Sequence, residues 1–344
     1  MTRRKYLLFF LISLTQNGYS QSGGSGIFQI LQVPAHSRSM VWGNSLLAVP
    51  ESQSDVMYTV NNPGLLNSKI TGQYAATYGS VLPGVKLGSA GYSITKGKHN
   101  FSITGVYIDY GTMDRLDAGG NYEGQMNANE MAFRIGHSIK MKDLQIGSQL
   151  GYSYAVLGPY VSNGAFLNVG FHYAKSDSGI QFGGVLKNLG YQVAAYKNAE
   201  TEPLPFEIQL GASYKPVHMP FRFHVALHSL QKWDLTYDQY LESQQVDLNG
   251  NTQYKSSANF VEKAFRHVNF GGELILGKHM SVLLGYNYQR RKEMAPSIRP
   301  GLSGMGWGIR MKLWRYHLTY SSVAYFPGQN SNTISLSLIP QFFQ

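Results

Sequence analysis

Among its 344 residues the chain has no cysteine, which excludes thiol nucleophiles and cysteine-ligated metals. Two of its histidines, His224 and His228, fall on one face of an alternating segment. Four residues along a strand is about 13 Å, too far for both to hold one metal ion. No Gly-x-Ser-x-Gly elbow is present to present a hydrolase nucleophile. Gly183-Gly184 and Gly271-Gly272 sit in segments of strand character, where glycine marks a bulge or a close approach rather than a phosphate loop. Asp114, Asp117 and Glu123 share one long connection and read as a solvated acidic loop or a weak cation site. No catalytic, cofactor-binding or metal-binding set emerges, and the chain reads as a non-enzyme. The strongest binding chemistry lies in segment 232–263, where Trp233, Tyr237, Tyr240, Tyr254 and Phe260 stand among polar residues. Aromatic anchors on an exposed loop are what a protein partner buries; folded back, the same side chains make a lid.

The elements that must position these residues follow from composition. Charged residues make up 14%, against roughly 25% in an average soluble domain. Aromatics reach 13%, with 24 Tyr and 17 Phe, and there are 38 Gly. The longest apolar run, Tyr6 to Leu14, is far short of the ~20 residues a spanning helix needs. Low charge without a spanning helix points to a membrane β-barrel, whose wall alternates apolar and polar residues. The alternation is explicit. Phe221, Phe223, Val225 and Leu227 interleave with Arg222, His224, Ala226 and His228; Trp314, Tyr316, Leu318 and Tyr320 interleave with Arg315, His317, Thr319 and Ser321. Period two sends successive side chains to opposite faces. The apolar series, Phe223 and Leu318 included, should face lipid, and Arg222, His317, Gln145, Gln149, Glu207 and Gln209 should face the lumen.

About fourteen such segments are found, near 69–79, 86–95, 99–109, 127–138, 143–155, 164–175, 178–188, 204–215, 220–231, 264–276, 279–290, 302–312, 314–325 and 332–343. Connections after odd-numbered segments read as long (80–85, 110–126, 156–163, 189–203, 232–263, 291–301) and those after even-numbered ones as tight. An even strand number with short turns on one rim and long loops on the other is the outer-membrane arrangement. The expected fold class is therefore an all-β membrane protein, an antiparallel outer-membrane barrel of about 14 strands. Short turns and both chain ends face the periplasm. Tyr and Trp at strand tips, such as Tyr152, Tyr214 and Trp314, suit interfacial girdles. The last strand should end on Phe342 and Phe343.

Ahead of the barrel, Arg3, Arg4 and Lys5 precede the apolar run, and Gly18 and Ser20 stand at −3 and −1 of a cut before Gln21. Residues 1–20 read as a secretory signal peptide. Removing them takes away three basic residues and leaves 26 basic against 19 acidic, a net charge of about +7. The remaining Lys and Arg are scattered, which suits solvation or anionic lipid headgroups and not nucleic acid. Residues 21–68 lack clean alternation yet carry much Phe, Ile, Leu, Val and Trp. Their economical place is inside the lumen as a hatch, with 69–344 forming the wall. Asn62-Pro63 suits a hatch-to-wall turn, and Arg38 suits a charge-assisted contact with a lumen carboxylate such as Glu130 or Glu207.

The hatch segment also carries a family likeness. Phe28 to Arg38 (FQILQVPAHSR), then Gly43-Asn44-Ser45, then Asn61-Asn62-Pro63-Gly64-Leu65-Leu66 resemble the head of the PorV and PorQ families, with Gly64 where Ala is usual. Those families belong to the type IX secretion system of Bacteroidota and share a FadL-like barrel. The spacing of Leu31, Val33 and Pro34 and the short mature chain favour the PorQ side. The resemblance implies an outer-membrane barrel that holds a surface-exposed, PorZ-like protein of the attachment complex beside other type IX components, with membrane lipid around it and no cofactor. A FadL-like channel for hydrophobic small molecules is the alternative class.

Overall fold

A computed structural model describes residues 26–82, 84–117, 119–175, 179–197, 199–236, 245–246, 252–253, 258–294 and 301–339. Fourteen strands close into one barrel: β1 (Tyr74–Leu82), β2 (Val85–Lys96), β3 (His99–Leu116), β4 (Tyr122–Met141), β5 (Leu144–Leu157), β6 (Tyr160–Ala174), β7 (Ile180–Ala194), β8 (Glu207–Tyr214), β9 (Phe221–Leu227), β10 (Val268–Leu276), β11 (Met280–Asn287), β12 (Met305–Leu313), β13 (Tyr316–Phe326) and β14 (Gln329–Leu338). Each pairs antiparallel with its sequence neighbours, and β1 closes on β14 from Tyr74↔Leu338 to Gly79↔Thr333. Closure leaves no sheet edge, as a chain in hydrocarbon requires.

The wall is apolar outside and polar inside. On β9, Phe221, Phe223, Val225 and Leu227 are exposed while Arg222, His224 and Ala226 are buried. On β14, Ser331, Thr333, Ser335 and Ser337 are buried between exposed Ile334 and Leu336. This is a membrane-spanning barrel, as the alternation predicted. The core, however, lies in the lumen. The largest fully buried side chains include Trp42, Arg38, Tyr58 and Phe28, all ahead of the first strand.

That segment folds as short pieces. A five-residue helix α1 (Ser37–Val41) and 3-10 turns at Gln29–Gln32, Val56–Val60, Pro63–Leu65 and Ser68–Ile70 are joined by extended stretches. The pieces are short because capping side chains interrupt them: His36, Asp55, Asn62 and Asn67 each accept a backbone N–H two residues on. Glycines on the inner wall give them room. A Cβ on Gly147 would meet the Pro63 carbonyl, one on Gly183 the Leu47 carbonyl and one on Gly285 the Val41 carbonyl, all inside any permitted contact distance. Gly271 faces the Trp42 ring.

Several boundaries differ from the sequence reading. The first strand starts at Tyr74 and not at 69, because Ser68–Ile70 makes a last hatch turn. The segments read as 264–276 and 279–290 lose their outer ends to helices α2 (Phe260–Arg266) and α3 (Tyr288–Met294). The connections expected at 80–85 and 156–163 are tight turns, and 110–126 is mostly ladder, since β3 and β4 run for 18 and 20 residues. About 9–11 residues cross a bilayer, so the excess projects into water. There the outward face is polar, and alternating hydropathy no longer marks a strand. The expected signal peptide 1–20 and Phe342 and Phe343 lie outside the described residues.

Arg on the lipid-facing wall costs about 2–4 kcal/mol at the midplane and less towards the interfaces. Phe223→Arg should therefore cut the folded, heat-modifiable fraction on a mild-detergent gel, whereas His317→Arg, on the lumen face, should leave it near wild type. Equal losses would overturn the register.

Candidate functional site: the hatch lock and the outer rim

Arg38 enters the lumen from α1, whose first turn is fixed by the His36 ring accepting the Arg38 N–H at 3.0 Å. Its guanidinium donates to Glu273 Oε2 at 2.9 Å and to Gln53 Oε1 at 3.2 Å. Arg222 of β9 donates to the same two acceptors. Ser281 Oγ donates to Glu273 Oε1 at 2.8 Å, and Arg310 lies 3.9 Å from it. Arg38 and Glu273 side chains are both 0% exposed. The aromatic packing is continuous with this cluster: Arg38 lies over the Trp42 ring at 4.5 Å, and Trp42 stacks on His224 at 4.6 Å. Trp42 Nε1 donates to the Leu284 carbonyl, and His224 Nε2 donates to the Ser45 carbonyl.

The expected partners of Arg38, Glu130 and Glu207, are therefore replaced by Glu273. Glu130 instead accepts the Ile30 N–H at 2.7 Å, and Glu207 accepts from Ser229. Sequence pattern placed Glu130 and Glu207 in the lumen but could not say which carboxylate lay at the depth of α1. The missed signal was Glu273 itself, a lone acid inside the apolar run Phe270 to Leu276.

A second set of bonds fixes the far side of the hatch. Asn62 Nδ2 donates to the Leu47 and Phe171 carbonyls, both at 2.9 Å, while its Oδ1 accepts the Gly64 N–H. Pro63 opens the turn that rests on Gly147. Ser37 donates its N–H to Ser335 Oγ at 2.9 Å, Thr77 and Ser335 share a bond at 2.8 Å, and Ser337 bonds Asp55. His224 and His228 stay apart. His228 packs instead against His267.

At the outer rim the connection from β9 to β10 carries α2, which packs on α3. Trp233 and Phe260 are 52% and 71% exposed, with ring centroids 5.2 Å apart. His267 supports the pair from below: its ring stacks on Trp233 at 5.6 Å, and its two nitrogens lie 3.0 and 2.8 Å from the Trp233 and His228 carbonyls, to one of which the ring N–H donates. Lys263 bonds Asp234, and Glu262 pairs with Arg266 at 3.1 Å and Lys292 at 3.3 Å. Burial raises the Asp234 carboxyl, but the Lys263 and Thr236 bonds outweigh it and bring the carboxyl down to about 2. A depressed carboxyl contributes fully above its ordinary value and is lost as pH falls through about 2, so this brace holds at all physiological pH. Tyr237, Tyr240 and Tyr254 lie outside the described residues. Asp114, Asp117 and Glu123 do not converge: Asp117 caps its own turn, Glu123 pairs with Arg115, and no metal-binding group of three occurs among the described residues.

On the lipid-facing side of β5 to β8, Phe171 and Leu210 close over Gly184, where a Cβ would meet them at 2.5 and 2.8 Å. They border an apolar groove of about 550 Å³ lined also by Ile146, Leu186 and Ile208.

No family model and no curated protein matches the chain. Among solved structures it is similar to a deltaS2 mutant of the TodX monoaromatic hydrocarbon channel, at 9% identity and TM-score 0.48, covering 90% of this chain and 98% of that one. It is likewise similar to a Pseudomonas aeruginosa FadL homologue, at 11% identity and TM-score 0.44, covering 88% and 96%. The KdgM porin follows at 6% and 0.31, covering 77% and 98%. At such values the architecture rests on the strand pairing above and not on the likeness.

Glu273→Gln leaves two buried guanidinium groups without their counter-charge, a change that costs about 3–5 kcal/mol. The temperature at which the heat-modifiable band converts should fall markedly. Gly285→Ala should lower it too, because the hatch must shift off Val41, while Gly88→Ala, which meets open space, should not.

Proposed function

We propose that this chain is a non-catalytic, plugged outer-membrane barrel of the type IX secretion system, PorQ-like, that holds a surface-exposed partner of the attachment complex. The observation that carries the reading is the hatch, which is bonded to the wall through a wholly buried ion pair and seated on glycine windows. A wall locked to its plug is a rigid platform. The rim above it offers Trp233 and Phe260 as exposed aromatics on a braced connection, the kind of anchor that carries interface energy. The head motifs from Phe28 to Arg38 and from Asn61 to Leu66 supply the family side of the proposal. In this reading Trp233 and Phe260, with Tyr237, Tyr240 and Tyr254 of the same connection, bind the partner, while Arg38, Asn62 and Pro63 keep the hatch in place.

A second reading, an outer-membrane channel for hydrophobic small molecules, is favoured by the apolar groove about Gly184. The TodX structure named above is of a monoaromatic hydrocarbon channel.

The two readings separate in one experiment. Removing residues 240–258 through a short Gly/Ser linker should leave a folded barrel in the outer membrane, release a surface protein into the medium and impair display of secreted cargo. Trp233→Ala with Phe260→Ala should weaken retention at least thirtyfold, given about 2 kcal/mol or more for a buried anchor. Intact retention in both variants, together with loss of hydrocarbon uptake on filling the groove by Gly184→Leu, would replace the platform with the channel.

A further inference from the structure

The two rims of the barrel differ in charge. All six turns on the short-turn rim carry lysine within the turn or beside it: Lys98, Lys142, Lys175, Lys215, Lys278 and Lys312. Lys215 is half-buried and the other five are exposed. The lysine rim also holds Asp143 beside Lys142 and Glu51 paired with Lys140, but lysines outnumber acids there, whereas the opposite rim sets Asp114, Asp117 and Glu123 beside Arg115. Just inside the lysines, on the outward face, stand exposed Tyr74, Phe101, Tyr214 and Tyr316, with Trp314 exposed in the turn itself. Aromatics at that position mark where hydrocarbon meets headgroups, so the lysines lie at headgroup depth or just beyond.

We propose that this rim is a cationic collar for anionic phospholipid, gathering phosphate-bearing headgroups of the leaflet that surrounds it. The spacing argues for lipid over an acidic protein. A protein partner presents one face, and its complement is a patch; a leaflet meets the barrel on every side. Here the charge is distributed once per turn around the whole circumference. Lysine also suits the task, since a compact ammonium on a flexible stem pairs with a mobile phosphate without fixed geometry. The collar depends on the membrane-spanning fold alone and is independent of what the outer rim binds.

The test uses the full chain, folded in detergent with equal phosphatidylethanolamine and phosphatidylglycerol, and lipid retained after gel filtration is counted by native mass spectrometry. Wild type should retain phosphatidylglycerol over phosphatidylethanolamine by about fivefold, the preference expected when roughly one lysine contact acts on each lipid. In 0.5 M KCl, where the Debye length is only a few ångströms, the preference should fall towards parity. Lys98, Lys142, Lys278 and Lys312, all changed to Gln, should abolish it while the heat-modifiable band shows a folded barrel. The same number of neutralisations on the other rim (Lys86, Arg115, Lys197 and Lys292 to Gln) should leave it intact. Absence of preference in wild type overturns the collar, as does equal loss in both variants. Displacement of phosphatidylglycerol by poly-glutamate at equal charge would overturn it in favour of a protein-binding rim. If the inner-rim variant does not fold, the wild-type salt series decides the matter.

Discussion

One carboxylate organises the interior of this barrel. Glu273 sits where water is excluded and accepts from Arg38 of the hatch and Arg222 of the wall at once. A buried carboxylate is costly unless paired and hydrogen-bonded, and here every demand is met: two guanidinium groups, the Ser281 hydroxyl and a third arginine nearby. Gln53 bridges the same two arginines from the hatch side. The geometry sets the depth and rotation of α1, and through Trp42 stacked on His224 it fixes the aromatic packing beside it. The remaining contacts elaborate a placement that this cluster sets.

The arrangement inverts a soluble protein. Apolar surface faces out, where lipid removes any penalty for it, and the hydrophobic core is drawn largely from the hatch, joined by inward wall residues such as Val106, Ile108 and Phe166. Burial by itself does not specify such a core, because the wall around it is polar. Specificity comes from hydroxyl and amide partners, as with Ser335 and Asn62, and from shape, as at the glycines that accept a hatch carbonyl. A platform for a partner and a gate for a small molecule both begin from this plan. They differ in whether the plug stays bonded, and the buried ion pair argues for a plug that stays.

The strand count, the inward and outward faces and the presence of a lumen segment were legible because lipid and a wet lumen impose opposite preferences on alternate residues. Phe223 and Arg222 illustrate this. Legibility failed where the imposing medium stopped. Beyond the bilayer, β3 and β4 continue with polar residues on their outward face, and alternation there does not distinguish strand from loop. At the outer ends of β10 and β11, Phe265 and Tyr288 satisfied an alternating pattern although both lie in helices. The pairing of Arg38 escaped for another reason: it depends on which inward positions share a level, and that is a property of register and of the hatch path together. At the rim, Trp233 and Phe260 were recognisable by type and loop length, while their brace by Lys263, Asp234 and His267 was not.

The bond between Ser37 and Ser335 joins residues 298 positions apart. Ser335 and Ser337 belong to β14, the strand that also closes the barrel on β1, and both hold the hatch. The hatch ahead of β1 is thus secured in part by the strand that closes the barrel. Without β14 the hatch would keep Glu273, Phe171 and Glu130 as partners but lose Ser335 and Ser337, so closing the wall also completes the seat of the plug.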